Sequence, residues 1–294
     1  MRSTLAAGLM TVLLLPTLAA AKDDPVISLA KATKWEMKYN PDSCQLITAF
    51  GKDDDRVVMV LSREQPIDFF DLQLFGKSLG YNGIAVPIEL TFGANGQPMK
   101  FGGIALTVSG AEKLPVIRMT GVRIDGWHDW KDPAKVPQVT PQQEAAVTAI
   151  TFKKPGGKRY RLETGSMGAP LAAMRACTTD LVKAWGYDPA VLESLSRPPL
   201  PIGSPGKWLR SNDFPDKSLL QGHNGLVRFR LDVDASGQPV GCTVLYRTNP
   251  DEFADLSCKL VLQRAHFTPA LDASGEPVKS YYITNIRWVA GGEW

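Results

Sequence analysis

Residues 225–244 read GLVRFRLDVDASGQPVGCTV. Val227, Phe229, Leu231 and Val233 fall on one side of an extended chain and Arg228, Arg230, Asp232 and Asp234 on the other, the period-two pattern of a strand with one buried face. DASGQPV at 234–240 then supplies a turn: a small polar residue and Gly give the backbone freedom, and Pro blocks helix as the next strand begins. Val240, Cys242, Val244 and Tyr246 are expected to share one face of that second strand. The same turn recurs as DASGEPV at 272–278 and more loosely as ANGQPM at 94–99. The flanks are unrelated and the spacings unequal, so one turn is reused and no module is repeated.

Working outward from the hairpin, Asn249, Pro250, Asp251 and Glu252 mark a helix start, with a cap, Pro at the first position and acids at the positive end of the helix dipole. Ala254, Cys258, Val261 and Ala265 form a stripe at helical spacing, which brings Cys258 towards Cys242 where helix packs on sheet. KSYYITNIRWV at 279–289, rich in aromatic and β-branched residues, reads as the closing strand. Residues 208–294 therefore form a small domain, a three-stranded antiparallel sheet packed with helices.

Upstream lies YDPAVLESLSRPPLPIGSPGK, 187–207, crowded with five prolines and expected to be extended. We read 188–207 as a Pro-rich linker that would reach ~60 Å as polyproline II. Residues 22–187 are mainly strands: SCQLITAFG, DRVVMVLSR, DFFDLQLFG, IAVPIELTFG and GGIALTVSG. Two helices follow. Thr140, Pro141 and Gln143 have the form of a capping box, and a second helix runs from about Ala169 to Trp185 with Leu171, Met174, Leu181 and Trp185 on one side. The class is α+β, a mainly-β N-terminal domain of unassigned function with two helices followed by the small C-terminal domain.

The first 21 residues have Arg2, an apolar run from Leu5 to Leu15 and the triplet Ala19, Ala20, Ala21, the pattern of a cleaved signal peptide. The apolar run is too short for a membrane span, and Pro16 interrupts it. The mature chain is expected to be periplasmic with no membrane span. Four cysteines in an exported chain imply two disulfides, for which three connectivities exist. Cys44 and Cys177 precede the linker while Cys242 and Cys258 follow it, which favours pairing within each part. A net charge of +3, with both signs interspersed, excludes a nucleic-acid partner.

Chemistry-bearing motifs fail on inspection. Asp232, Asp234 and Ser236 imitate the start of a calcium loop, but Thr243 stands where the bidentate Glu is required. ETGSMG at 163–168 lacks the Asp of an aspartic protease, and Ser166 lacks the glycines of a nucleophile elbow. In DGWHDWKD, 125–132, His128 sits among Asp125, Asp129 and Asp132, yet consecutive loop residues rarely converge on a metal. No catalytic residue, metal or cofactor is assigned, and the protein is read as a non-enzyme.

NDFP at 212–215, GHNG at 222–225, the hairpin at 225–244, RAHFTPA at 264–270, DASGEPV and the strand ending at Trp288 together resemble the C-terminal domain of the TonB family of periplasmic energy transducers. The similarity covers about 208–290, and is closest to members with a cysteine on the second strand and another sixteen residues on, in the helix. The resemblance implies binding by strand addition: a short extended segment of an outer-membrane receptor or other envelope protein pairs beside the last strand, at Ser280, Tyr281, Tyr282, Ile283, Thr284, Asn285, Ile286, Arg287 and Trp288. The expected role is accessory to TonB-dependent outer-membrane transport. A short linker and a cleaved apolar segment do not suit force transmission by the usual route. The alternatives are a structural envelope protein that forms a homodimer through the same domain, and an envelope enzyme with its site near His128.

Overall fold

The computed structural model describes residues 25–94, 96–108, 113–127, 136–248 and 250–291. The signal-peptide reading, and His128, Asp129 and Asp132, lie outside them. Ten strands make one sheet: β1 (Val26–Ala30), β2 (Glu36–Asn40), β3 (Ser43–Phe50), β4 (Val57–Arg63), β5 (Phe70–Phe75), β6 (Ala85–Phe92), β7 (Met99–Thr107), β8 (Pro115–Val122), β9 (Ile150–Lys153) and β10 (Arg159–Glu163). Their order is β1-β10-β9-β6-β7-β8-β5-β4-β3-β2, antiparallel throughout except for β1 on β10.

The sheet curls until its first strand meets β3. Just past β1, Ala32 N–H donates to the Ala49 carbonyl at 2.7 Å, Gly51 N–H donates to that of Ala30 at 2.9 Å, and Lys31 pairs with Phe50. Residues 26–40 thus close the sheet as one bent segment, first on β10 and then on β3. Gly51 makes the crossing possible: its φ is +65°, and a Cβ there would lie 2.9 Å from the Asp55 carbonyl oxygen.

Alternation then fills the interior. Leu46, Met59, Leu61, Leu72, Leu74, Ile88, Leu90, Ile117 and Met119 are all essentially inaccessible. Helix α1 (Pro141–Ala146) starts with the expected capping box, in which Gln143 N–H donates to Thr140 Oγ1. Helix α2 (Gly168–Ala184) lays Leu171, Met174, Cys177 and Leu181 on this core, and Cys177 is bonded to Cys44 on β3.

The Pro-rich stretch differs from the extended spacer expected of it. It contains α3 (Pro189–Glu193), whose first free N–H is capped by Asp188, and then β11 (Leu200–Pro201). After α4 (Asp216–Leu220), β12 (Gly225–Val233) and β13 (Pro239–Arg247) form the hairpin, followed by α5 (Glu252–Arg264), β14 (Phe267–Thr268), β15 (Ala270–Leu271), β16 (Pro277–Val278) and β17 (Ser280–Trp288). Strand β11 pairs with β14, Ile202 N–H donates to the His266 carbonyl, and Arg197 bridges Leu271. The prolines fall where no ladder donor is needed, so the stretch runs along the C-terminal unit as an edge strand.

The C-terminal sheet has the order β13-β12-β17, with α5 packed on one face and Cys242 bonded to Cys258. Val227, Phe229, Leu231 and Val233 are buried there, as their spacing predicts. Only half of the stripe expected on β13 follows. Register shifts beside Arg228 and Asp232 place bulges in β13, so Cys242 and Val244 face the core, Val240 is 66% exposed and Tyr246 crosses to the opposite face. Helix α5 begins at Glu252, later than expected: Asp251 occupies the cap position in a helical backbone conformation with no side-chain cap bond, and its carboxylate accepts from Arg247 Nε at 2.7 Å. Asn249 lies outside the described residues.

The turn that opened the reading is the same object twice. Asp234 Oδ1 accepts from Ser236 N–H, Ser236 Oγ–H and Gln238 N–H, and Asp272 Oδ1 accepts from Ser274 N–H, Ser274 Oγ–H and Glu276 N–H. The serine hydroxyls, with the backbone donors, hold both carboxyls below the usual aspartate range. Asp234 Oδ1 is thus committed to its own turn, and the same turn chemistry at Asp272 accounts for the Asp-x-Ser-Gly spelling.

Candidate functional site: the last strand and its surroundings

Strand β17 pairs with β12 along its whole length without a register shift, and among the described residues its other edge pairs with no strand. Which groups that edge offers follows from alternation. Leu226 is turned towards the β13 side, since its carbonyl accepts from Thr248 N–H and its N–H donates to Thr248 Oγ1. Val227, Phe229, Leu231 and Val233 must then bond β17, through Ile286, Thr284, Tyr282 and Ser280. The backbone groups of Tyr281, Ile283, Asn285 and Arg287 are left pointing outward. Among the described residues none of these four bonds another segment through its backbone.

The nine residues expected to form the site therefore divide. Ser280 and Trp288 are buried, at 1% and 0% exposure, and the side chains of Tyr282 and Ile286 pack on the C-terminal core. Asn285 and Arg287 are exposed, and a hollow of about 210 Å³ beside Thr284–Arg287 is walled by Pro205, Trp208 and Leu209. At the other end, Tyr281 sits between the rings of Trp185 and Tyr187, each with its centroid 5.4 Å away.

The opposite face of the sheet, which reads as a solvated charged face, is docked on the ten-stranded unit. Arg228 pairs with Glu64, and Arg230 reaches Asp42 at 3.3 Å while its guanidinium lies 3.9 Å from the centre of the Trp185 ring. In the reverse direction, Arg118 holds Asp71 at 2.7 Å and stacks on Tyr246 at 3.9 Å. Arginine suits this position because its planar cation can stack and pair at once. Sequence reasoning missed this interface, since a charged strand face carries the same spelling whether it meets water or a partner.

The Tyr187 hydroxyl shares its proton between Asp232 Oδ1 at 2.8 Å and the Ser280 carbonyl at 2.9 Å. Burial, together with the Asp232 contact, pushes the phenol well above its usual value. Burial also pushes Tyr281 up to about 12. The unfolded chain would release these protons near pH ~10 while the folded one holds them, so stability is complete below that pH and is lost as pH rises through the folded values. Tyr187→Phe is expected to cost ~1–2 kcal/mol at neutral pH. It should also make the alkaline fall in stability shallower, as read by urea melts at pH 8 to 11.

The other candidates dissolve into structure. Asp125 Oδ1 and Oδ2 accept from Arg123 at 2.9 and 2.6 Å, and Trp127 N–H adds a third bond. Burial acts to raise the Asp125 carboxyl, and these bonds outweigh it and hold the group below its usual range. Ser166 donates to the Ala145 carbonyl near the start of α2, and His223 meets Ser218 in a turn. Among the described residues there is no group of three or more His, Cys, Asp or Glu side chains able to hold a metal ion, and no helix long and apolar enough to cross a membrane.

Comparison with known families places residues 210–290 in the family described as Gram-negative bacterial TonB protein C-terminal, in agreement with the resemblance read over 208–290. This segment comprises the edge just described. Searches of curated proteins and of solved structures found no match. A TonB-type domain, in a chain with two disulfides of which Cys242–Cys258 lies within that domain, fits an envelope protein.

Proposed function

We propose that this chain is a periplasmic binding protein that captures an extended segment of an outer-membrane receptor by strand addition, as an accessory to TonB-dependent transport. The observation that carries the reading is the outer edge of β17 in a TonB-type domain, where among the described residues the backbone of Tyr281, Ile283, Asn285 and Arg287 pairs with no other segment. An added strand gains main-chain hydrogen bonds along that edge, and its side chains meet the hollow beside Trp208.

The test uses the same geometry. Ile283 N–H points outward, so Ile283→Pro removes an edge donor and leaves the bonds to β12 in place. We expect this variant to keep its fold by circular dichroism. It should lose at least about ten-fold in affinity for synthetic peptides taken from the periplasm-facing segments of outer-membrane receptors. Undiminished binding in a folded Ile283→Pro protein would refute strand addition at this edge.

The same free edge supports a second reading, homodimerisation by β17 pairing with its copy. Sedimentation separates the two: a dimer that Ile283→Pro converts to monomer, with no receptor-peptide binding by either form, favours the structural role. The enzyme alternative rests on His128, and no observation among the described residues favours it.

A further inference from the structure

A cavity of about 510 Å³ opens where α2, the Pro-rich stretch and the start of β17 meet, and it plays no part in strand addition. Its size and its place between two packed units are those of small-ligand sites. One wall is apolar, built by Ile67, Val182, Leu192, Leu195, Pro199 and Tyr281. The polar groups that line it come from both units, Arg63 and Arg175 from the first and Ser280 from the second.

Two of these groups are buried and carry a polar atom that has no hydrogen-bond partner among the described residues. Arg63 is 4% exposed, and its Nε–H has no hydrogen-bond partner; the guanidinium makes one hydrogen bond, from Nη2 to the Asp68 carbonyl at 3.1 Å. Ser280 is 1% exposed and its Oγ is likewise unpartnered. The nearby acids, Asp68 and Glu144, act on Arg63 through charge, and neither carboxylate is hydrogen-bonded to it. Asp68 Oδ2 accepts from Val139 N–H at 2.8 Å and lies 4.0 Å from Arg123, and Glu144 accepts from Arg175. Glu193 lines the cavity too, but it is exposed. Burial lowers the Arg63 guanidinium to about 10, and the charges of Asp68 and Glu144 offset this only in part. A buried cation of this kind is costly unless something pairs with it.

We infer that this cavity is a binding site for an amphipathic carboxylate, its acid group meeting Arg63 and Ser280 and its hydrocarbon part lying on the Leu192, Leu195 and Pro199 wall. A carboxylate accepts from both a guanidinium and a hydroxyl, which completes two unfilled donors at once. The carboxylate could belong to a small organic acid or to a glutamate of a polypeptide, and the experiment separates these.

The full mature protein is titrated by calorimetry with octanoate, with octanol and with a short peptide bearing one glutamate. Octanoate is expected to saturate one site per chain, and octanol is not expected to displace it. Thr179→Phe, which fills the cavity from α2 without touching a buried charge, and Arg63→Met should each weaken octanoate by about ten-fold or more. Should Arg63→Met fail to fold, Thr179→Phe decides. Displacement of octanoate by the peptide keeps the site and assigns its carboxylate to a polypeptide. The inference is overturned if octanoate does not saturate, if octanol binds as tightly, or if a folded Thr179→Phe protein binds octanoate unchanged. Ile283→Pro should leave octanoate binding intact, so the loss of either site is read independently of the other.

Discussion

Cys44→Ala combined with Cys177→Ala is expected to remove ~5 kcal/mol of stability, the largest effect of any change considered, measured by urea melts as a fall in the extrapolated free energy of unfolding. The bridge closes a loop spanning 133 positions, and in the chain-entropy model the stabilisation grows with the logarithm of that length. Both cysteines are buried, at 0% and 2% exposure, and the bond fastens α2 to β3. Because β3 also receives the bent segment that closes the sheet, slackening at this point reaches the whole curled unit. With total stabilities of domains near ~5–15 kcal/mol, that loss is a third or more of what keeps such a unit folded. The short bridge, Cys242 to Cys258, spans 16 positions and should be worth ~3 kcal/mol on the same model. A smaller loss from the long bridge than from the short one would contradict the loop-length account.

Trp288→Ala is expected to cost ~4–5 kcal/mol. The indole is wholly buried, stacks on Phe253 with centroids 5.0 Å apart, meets Phe214 edge-on at 5.6 Å, and donates from Nε1 to Ser257 Oγ at 3.0 Å. Its removal opens a large cavity and also orphans a buried hydroxyl. Arg287→Ala, one position earlier, should change stability by less than ~0.5 kcal/mol, since that side chain is exposed. The contrast, read by denaturant melts, separates the two faces of β17. It also moves Trp288 from the peptide-contacting set implied by resemblance to the core: its effect on binding should follow its effect on folding.

Legibility followed local pattern. The hairpin, α5 and α2 could be read because their apolar periodicities report one buried face each, and the capping box at Thr140 is written in three residues. Strand β8 could not be read, because Val116, Ile117, Arg118 and Met119 are all buried and leave no alternation. Its second face is covered by Tyr246, far away in sequence, so the cause is tertiary. Strands β9 and β10 are too short to show a period, and β1 is largely exposed. At the candidate site, the edge strand itself was visible from composition. Which of its residues point outward depended on the pairing of β12, and the docked Arg228 and Arg230 depended on Glu64, Asp42 and Trp185.

The bridges join cysteines in the order in which they occur along the chain, first with second and third with fourth. For a polypeptide delivered amino end first, that order is a timetable. Cys177 is presented to Cys44 before Cys242 exists as a competitor, and the remaining pair then meets across a short loop. Stepwise oxidation during delivery therefore reaches the native pattern without a reshuffling step, whereas a chain released whole and reduced must choose among three. The strand that closes the sheet keeps the same schedule and comes first: Arg159, the partner of Val26, is delivered before Cys177. The sheet can thus be closed on its first strand before the covalent tie forms, and the tie then secures a topology already in place.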